Sequence, residues 1–247
     1  MTEPLWTAQI LTLYPEMFPG PLGVSLAGKA LDKGLWAMDV VQIRDYATDK
    51  HRAVDAPPAG GGPGMVMRAD ILAAAIDDVS RDAENRDAES RDEWPLVYLS
   101  PRGKRLDRNM VRDFAAKKGI TLICGRFEGV DERVLEGRDI IEVSLGDFVL
   151  SGGELAAMAL MDAVVRTIPG VIGDAATLDE ESFEVGLLEY PHYTRPRIWE
   201  GREIPAVLQS GHHGKIKEWR RRRSEDLTQT RRPDLWKNYI HGKNDVK

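Results

Sequence analysis

The chain has 247 residues, of which 42% are hydrophobic and 30% charged, with a formal net charge of −6 and a single cysteine, Cys124. That length allows one large domain or two modest ones with a real core, and one cysteine excludes an internal disulfide and a multi-cysteine metal site. No apolar run reaches the length of a membrane span, and the N-terminus MTEPLWTAQILTLYPEMF has no basic region followed by an apolar stretch, so neither a membrane helix nor a signal peptide is expected and the chain reads as cytoplasmic.

Net charge argues only weakly against a nucleic-acid partner, because the charge is segregated. Residues 77–93 hold eight acidic and three basic side chains, whereas residues 215–232 hold eight basic and three acidic. A local basic patch can engage phosphate while the rest of the protein stays acidic.

In chain order, AQILTLYP (8–15) predicts an opening strand and VSLAGKALDKG (24–34) a helix stopped by Gly34. LWAMDVVQIRDY (35–46) predicts a second strand, and the Gly- and Pro-rich 51–67 predicts a loop. ADILAAAIDDV (69–79) has helical spacing, and the acidic stretch that follows to Glu93 is expected to be a mobile surface segment. Strands are then expected at 94–100, 120–125 and, singly or as a pair, 139–150, with Phe148, Val149 and Leu150 as a buried strand end. Helices are expected at 106–119, ending at Gly119, and at 127–137.

Strands alternating with helices imply an α/β fold with a mostly parallel sheet covered on both faces. The alternation stops near IPG (168–170). The expected organisation is therefore a domain over 1–170, a linker over 171–182 and a smaller helical domain over 183–247.

Several motifs carry chemistry. GVSLAGKA (23–30) resembles a phosphate loop, but Ala30 stands where a Ser or Thr would bind magnesium and no buried strand immediately precedes it, so it reads as an amphipathic helix. His212 and His213 have no Glu or Cys at metal-ligand spacing. His51, Arg52 and Asp55 precede the glycine-dense GGGPGM (60–65), a combination suited to phosphate and base recognition. YLSPRG (98–103), CGRFEG (124–129) and LGDFVLSGG (145–153) each end an expected parallel strand and turn through Gly or Pro. Ligands of open α/β sheets bind outside such strand ends, and three loops of this kind can meet around one ligand.

Ser151 to Glu154 fits a capping box, and the apolar helix after it, LAAMALMDAVV, is expected either to be a central helix buried all round or to bury one side in its own sheet and the other in a partner subunit. IKEWRRRRSEDLTQTRRPDLW (216–236) mixes cations with Trp219 and Trp236, and reads equally as a phosphate-binding surface or a solvated helix with its indoles packed inward.

Taken together, LYPEMF (13–18), HRAVD…GGGPGM (51–65), YLSPRG, LICGRFEGVDERV (122–134), GDFVLSGGEL (146–155), IPGVIG (168–173), ESFEVGLLEYPHYTRP (181–196) and VLQSGHH (207–213) resemble the bacterial tRNA (guanine-37-N1) methyltransferase family, TrmD, of the SPOUT class. The matching segments run in family order across almost the whole chain. The resemblance implies a sheet with a deep trefoil knot, a rare exception to ordinary topology, and an obligate homodimer with its active sites at the subunit interface. It also implies S-adenosylmethionine held by Tyr98, Leu99, Ser100 and Pro101, by Gly125, Phe127 and Glu128, and by Leu145, Gly146, Phe148, Leu150, Gly152 and Gly153, the last two leaving bare main chain for the adenosyl group.

By the same resemblance Glu181, with Glu180 as fallback, stands at the general base, where the family has Asp. Ser182 follows it, and Arg166 matches an arginine that stabilises charge on guanine O6. His51, Arg52, Asp55 and Arg220 are the expected tRNA contacts. The family also implies magnesium, for which the sequence shows no site. Arg102 stands where Gln is frequent, and Phe127 and Phe148 stand for frequent Tyr. Alternative readings are another SPOUT RNA methyltransferase with a different target base, or a non-catalytic RNA-binding dimer.

Overall fold

The computed structural model describes residues 4–86, 94–173 and 181–244, of which 82–86 and 243–244 are described by their main chain alone. It divides into two compact units, Met1–Gly173 and Asp174–Lys247.

The first unit is built on one five-stranded sheet. Its strands are β1 (Trp6–Thr12), β2 (Trp36–Gln42), β5 (Leu96–Arg105), β6 (Gly119–Ile123) and β7 (Ile140–Ser144), in the order β2-β1-β6-β5-β7. Every pairing within it is parallel. A two-stranded antiparallel ladder, β3 (Asp55–Ala56) with β4 (Val66–Met67), closes the glycine-rich loop. The α/β expectation therefore holds, and its reason is visible in the strands: β6, GITLI, is buried at every residue, as a parallel strand covered on both faces must be.

Two apolar clusters flank the sheet. On one face Trp6, Ala8 and Ile10 of β1 and Ile120 and Leu122 of β6 meet α1 (Ser25–Asp32), α3 (Arg108–Ala115) and α5 (Glu154–Val165). On the other, Leu11 and Ile123 meet α2 (Ala69–Arg86) and α4 (Glu132–Glu136). The alternation within β1 is the two-residue period of a pleated strand. Polar side chains of this core find partners inside it: the Trp6 indole donates to Phe114 O at 3.1 Å, the Trp36 indole to Ala27 O at 2.9 Å, and Thr121 Oγ1 to Gln9 Oε1 at 3.1 Å across the β1–β6 register.

The structure corrects several sequence expectations. The α2 helix runs to Arg86, so the first part of the acidic stretch is helix; Arg138 anchors it through Asp77 at 2.6 Å, and Arg81 pairs with Asp78 at 3.3 Å. The rest of that stretch lies outside the described residues. The α3 helix ends at Ala115, and Gly119 opens β6 instead of stopping a helix. The α4 helix is shorter than expected, because Phe127 and Gly129 adopt positive φ of 60° and 118°, and helix begins only after the Asp131 cap, which accepts from Arg133 N.

The β5 strand does not end at Ser100. Its register with β7 breaks at Leu99 and resumes at Lys104, so SPRG is an excursion within a strand. Conversely, β7 ends at Ser144, and Phe148, Val149 and Leu150 are exposed, with Val149 at 83%. Ser144 Oγ accepts from Gly146 N at 3.1 Å and turns the chain out of the sheet.

The second unit is less helical than expected. From Glu181 to His212 the described chain holds only a hairpin, β8 (Ile198–Trp199) with β9 (Arg202–Glu203), and a 3-10 turn at Ala206–Gln209. Helices α6 (His213–Arg231) and α7 (Pro233–Asn244) follow. Buried Thr228 joins irregular chain to helix, accepting from Leu188 N at 2.8 Å while donating to Ser224 O at 2.7 Å.

Candidate functional site at the carboxyl rim of the sheet

Where β5, β6 and β7 give way to loops, a cavity of about 330 Å³ opens. Tyr98, Leu99, Ser100 and Pro101 form one wall, Gly125, Phe127 and Glu128 a second, and Leu145, Gly146, Phe148, Leu150, Gly152 and Gly153 a third. These are all the residues the resemblance assigned to the methyl donor. Their convergence follows from parallel strands ending together. Arg102, Arg126, Ser144 and Leu135, which sequence reasoning did not assign to the site, also line it. The cavity suits a mid-sized ligand and is walled by aromatic rings and main chain.

The two glycines at 152–153 have a packing reason as well. A Cβ on Gly153 would lie 2.8 Å from Cys124 Cα, and one on Gly152 would lie 2.3 Å from Arg126 Nε. Side-chain-free residues are needed here so that this loop can lie against the CGRFEG loop, before any ligand is considered. Gly153 N donates to Gly125 O at 2.9 Å and seals the contact.

Glu154 does not close a capping box. Gly153 is the N-cap of α5 and has no side chain, so Ser151 contributes none. Glu154 is 1% exposed and turns inward, accepting from Thr12 Oγ1 at 2.8 Å and from Arg126 Nε at 3.1 Å, while Arg126 Nη2 lies 2.9 Å from its other oxygen. The Arg126 guanidinium also sits 4.3 Å over the Tyr14 ring. This buried pair joins β1, the β6 loop and α5 immediately behind the cavity. Nothing in the residue spacing signals it, since Arg126 and Glu154 lie on separate elements.

Arg102, in the β5 excursion, makes a two-pronged pair with Glu132 at 2.8 Å on both arms and reaches Glu142 at 3.3 Å. Its hydrogen bonds hold the Glu132 carboxyl below the usual carboxylate range. Burial pushes the Tyr98 phenol up, and nearby Glu142 adds to the effect, so Tyr98 stays a neutral hydroxyl. Burial likewise raises the Cys124 thiol well above its ordinary value, and this cysteine is inert.

The glycine-rich loop meets the same rim. Glu128 N donates to Met65 O and Met67 N to Gly129 O, both at 2.9 Å. Gly64 has φ +85°, and a Cβ there would overlap the Glu128 side chain at 2.4 Å, so glycine is required twice over. Upstream, Asp49 accepts from Ala53 N and His51 N, and the hydrogen bond from Ala53 N does most to lower its carboxyl. Arg52 has φ 50° and pairs with Asp45 at 2.7 Å, and Asp55 sits in β3.

The remaining predicted site residues fall elsewhere. Arg166 is the C-cap of α5, its amide donating to Asp162 O. Glu181 and Ser182 begin the described part of the second unit; Ser182 Oγ accepts from Glu189 N at 3.0 Å and holds the turn that carries Glu181. Glu180 lies outside the described residues. Arg220 is stacked 4.7 Å from the Tyr190 ring centroid. Arg221, Arg222 and Arg223 are paired with Glu218, Glu225 and Asp226, so the basic run is partly neutralised by its own helix. Among the described residues no group of three or more His, Cys, Asp or Glu could hold a metal ion, so they offer magnesium no cluster of protein ligands. No described helix is long and apolar enough to cross a membrane.

A wider groove of about 890 Å³ lies at the opposite rim, where the strands begin, lined by Trp94, Lys104, Asp113 and Arg138 among others. None of the predicted site residues lines it.

Comparison with known proteins follows the same outline. The family model described as "tRNA (Guanine-1)-methyltransferase TrmD" matches residues 6–238. A tRNA (guanine-N(1)-)-methyltransferase of Ruegeria sp. (strain TM1040) is 60% identical over 95% of this chain and 93% of its own length. One from Rhodospirillum rubrum is 57% identical over 94% and 93%, and one from Chelativorans sp. (strain BNC1) 58% over 96% and 97%. With a rim cavity walled by its three signature loops and a family match across nearly all of its length, the chain belongs to the TrmD family of tRNA (guanine-1)-methyltransferases.

Proposed function

We propose that the chain transfers a methyl group from S-adenosylmethionine to N1 of guanosine 37 in tRNA. It would act in the cytoplasm, as a knotted homodimer whose active sites are completed at the subunit interface. The observation that carries this reading is the convergence of the three strand-end loops on one 330 Å³ cavity in a chain of this family.

The residues present fit that donor. Tyr98, Phe127 and Phe148 offer aromatic faces, the glycines offer main-chain donors and acceptors, and the Glu128 carboxylate suits a cationic group. When bound, the donor supplies a methyl group already activated on a sulfonium, so the protein is left to orient and to move one proton. Guanine N1 carries a proton at neutral pH. The Glu181 carboxylate would accept that proton and leave the N1 lone pair free to take the methyl group, while the sulfur–methyl bond breaks and the donor leaves as a neutral thioether. The Arg166 guanidinium balances the negative charge that this shifts toward O6. Ser182 fixes the turn beneath Glu181 through its bond from Glu189 N. His51, Arg52 and Asp55 belong to the tRNA-facing loop. Arg220, seated on Tyr190, contacts tRNA through whatever part of its guanidinium that stacking leaves available. No step is assigned to magnesium.

The dimer reading draws support from exposed apolar side chains around the cavity mouth and on α5. Phe127, Phe148, Val149 and Leu155 are between 48% and 83% exposed, and an apolar patch of this kind marks an interface more often than a solvated surface.

The test is methyl transfer from labelled S-adenosylmethionine to a tRNA transcript with guanosine at both 36 and 37, followed by mapping of the modified base. Label at N1 of guanosine 37 is expected. Label on a different base would mean a SPOUT methyltransferase with another target, and donor-independent tRNA binding without transfer would mean a non-catalytic RNA-binding protein.

A further inference from the structure

The second unit carries a concave surface of about 420 Å³ that the reading above leaves without a role. Its lining includes Tyr193, Arg195, Arg197, Trp199, Arg202 and Glu203. Trp199 is 57% exposed, with Ile198 at 50% beside it. An indole that open gives little to the fold and presents a flat aromatic face to solvent.

The geometry around it is built. Glu200 and Gly201 have φ of 49° and 75°, the two positive values of a two-residue hairpin turn. That turn fixes the register of β8 and β9, which sets Trp199 directly opposite Arg202. The Arg202 guanidinium lies 5.5 Å from the indole centroid. At the far wall, Tyr193 is held edge-on to Trp219 of α6, with centroids 6.1 Å apart.

The cations here are loosely committed. Arg202 reaches Glu200 only at 3.8 Å and Arg197 reaches Glu203 only at 3.7 Å, between side chains all more than half exposed. Pairs of that kind contribute little in water, so an incoming phosphate displaces them at small cost. Arg195 has no ion-pair partner among the described residues. Three arginines against Glu200 and Glu203 leave this face one positive charge in excess.

We infer that the Trp199–Arg202 hairpin face is a stacking subsite for an unpaired nucleotide of the tRNA, with Arg195 and Arg197 holding the adjoining phosphates. A flat exposed ring flanked by guanidinium groups is the chemistry that recognises single-stranded RNA, because every base offers a π-face and every linkage a charge. An acidic peptide would use the arginines but not the ring. The inference rests on the reading of tRNA as substrate.

The experiment uses the full chain and an unmodified tRNA transcript, with Kd measured across a series of KCl concentrations. Trp199→Ala is expected to raise Kd roughly 5- to 100-fold, with the KM for tRNA rising in parallel. Trp199→Phe, which keeps a platform, is expected to recover most of the loss. Arg197→Gln is expected to flatten the slope of log Kd against log salt by about 0.7, one single-strand phosphate contact. The Kd for S-adenosylmethionine and the far-UV circular dichroism of each variant check that it has folded. Wild-type protein that neither binds nor methylates the transcript would overturn the tRNA reading itself. Wild-type protein that does both, alongside a Trp199→Ala variant with the same Kd and KM, would overturn this inference alone. Equal loss in Trp199→Ala and Trp199→Phe would also overturn it, since a stacking role requires the phenyl ring to rescue.

Discussion

The proposed role of Glu181 as general base asks for a carboxylate that reaches guanine N1 and a turn that holds it there, and the Ser182–Glu189 bond would supply the second. Glu181→Gln keeps the size and removes the base. It is expected to lower kcat by roughly 10²–10⁴ while calorimetric binding of S-adenosylmethionine survives, because Glu181 is not among the residues that line the rim cavity. Full turnover in that variant would assign the proton to another group. At this scale the sequence was legible where glycine marks a close main-chain approach, as at Gly152 and Gly153, and the family resemblance added the aromatic residues of the rim. It was not legible for Arg126 and Glu154. Their pairing depends on a loop and a helix meeting in space, and the S-x-x-E spacing pointed Glu154 toward a cap that Gly153 occupies instead.

At the scale of elements, that buried pair adds a polar tie from α5 to β1 and to the β6 loop. Removing one partner strands the other in a site of low solvent access. Glu154→Ala is therefore expected to cost about 3–5 kcal/mol, a fall in Tm of roughly 6–20 °C for a unit of this size. An unchanged melting curve would show that the Arg126 guanidinium finds water once its partner is gone.

The α6 helix makes a different prediction. Its Glu218 carboxyl is held down to about 2 by hydrogen bonds from Arg221 and Arg222, and Asp234 at the start of α7 is held to about 2 by Arg232. A depressed carboxyl pKa means stabilisation that is fully present above the ordinary value and is lost as pH falls toward the folded one. Helical ellipticity attributable to α6 and α7 is expected to be flat above pH 4.5 and to decline between there and about pH 2. The decline should be reduced in Glu218→Gln, and an identical profile in that variant would contradict the assignment.

Element boundaries were read less well than element types, for identifiable reasons. Pro101 and Gly103 look like a strand end but sit in an excursion after which β5 resumes. Phe148–Leu150 look like core strand, yet the Ser144–Gly146 turn throws them out of the sheet into solvent.

For the whole molecule, the alternation of apolar strands with helices made the parallel sheet legible, since a strand buried on both faces has to be apolar throughout. The irregular character of residues 181–212 was not legible, because Arg- and Trp-rich sequence carries no period that separates helix from packed loop. The exposed apolar residues of α5 and the cavity mouth lead to a further expectation. Sedimentation at micromolar concentration should show a dimer, and Leu155→Asp, placing a charge on a side chain now 52% exposed, should shift it toward monomer with loss of methyl transfer. A wild-type protein that is monomeric and fully active would contradict the shared-site reading.

The account stands or falls on what occupies the carboxyl rim of the sheet. A crystal structure of the full chain determined with S-adenosylmethionine tests that directly. The account predicts the adenosyl group between the walls at 98–101, 125–128 and 145–153. A donor bound elsewhere, with the 330 Å³ cavity empty, would contradict it.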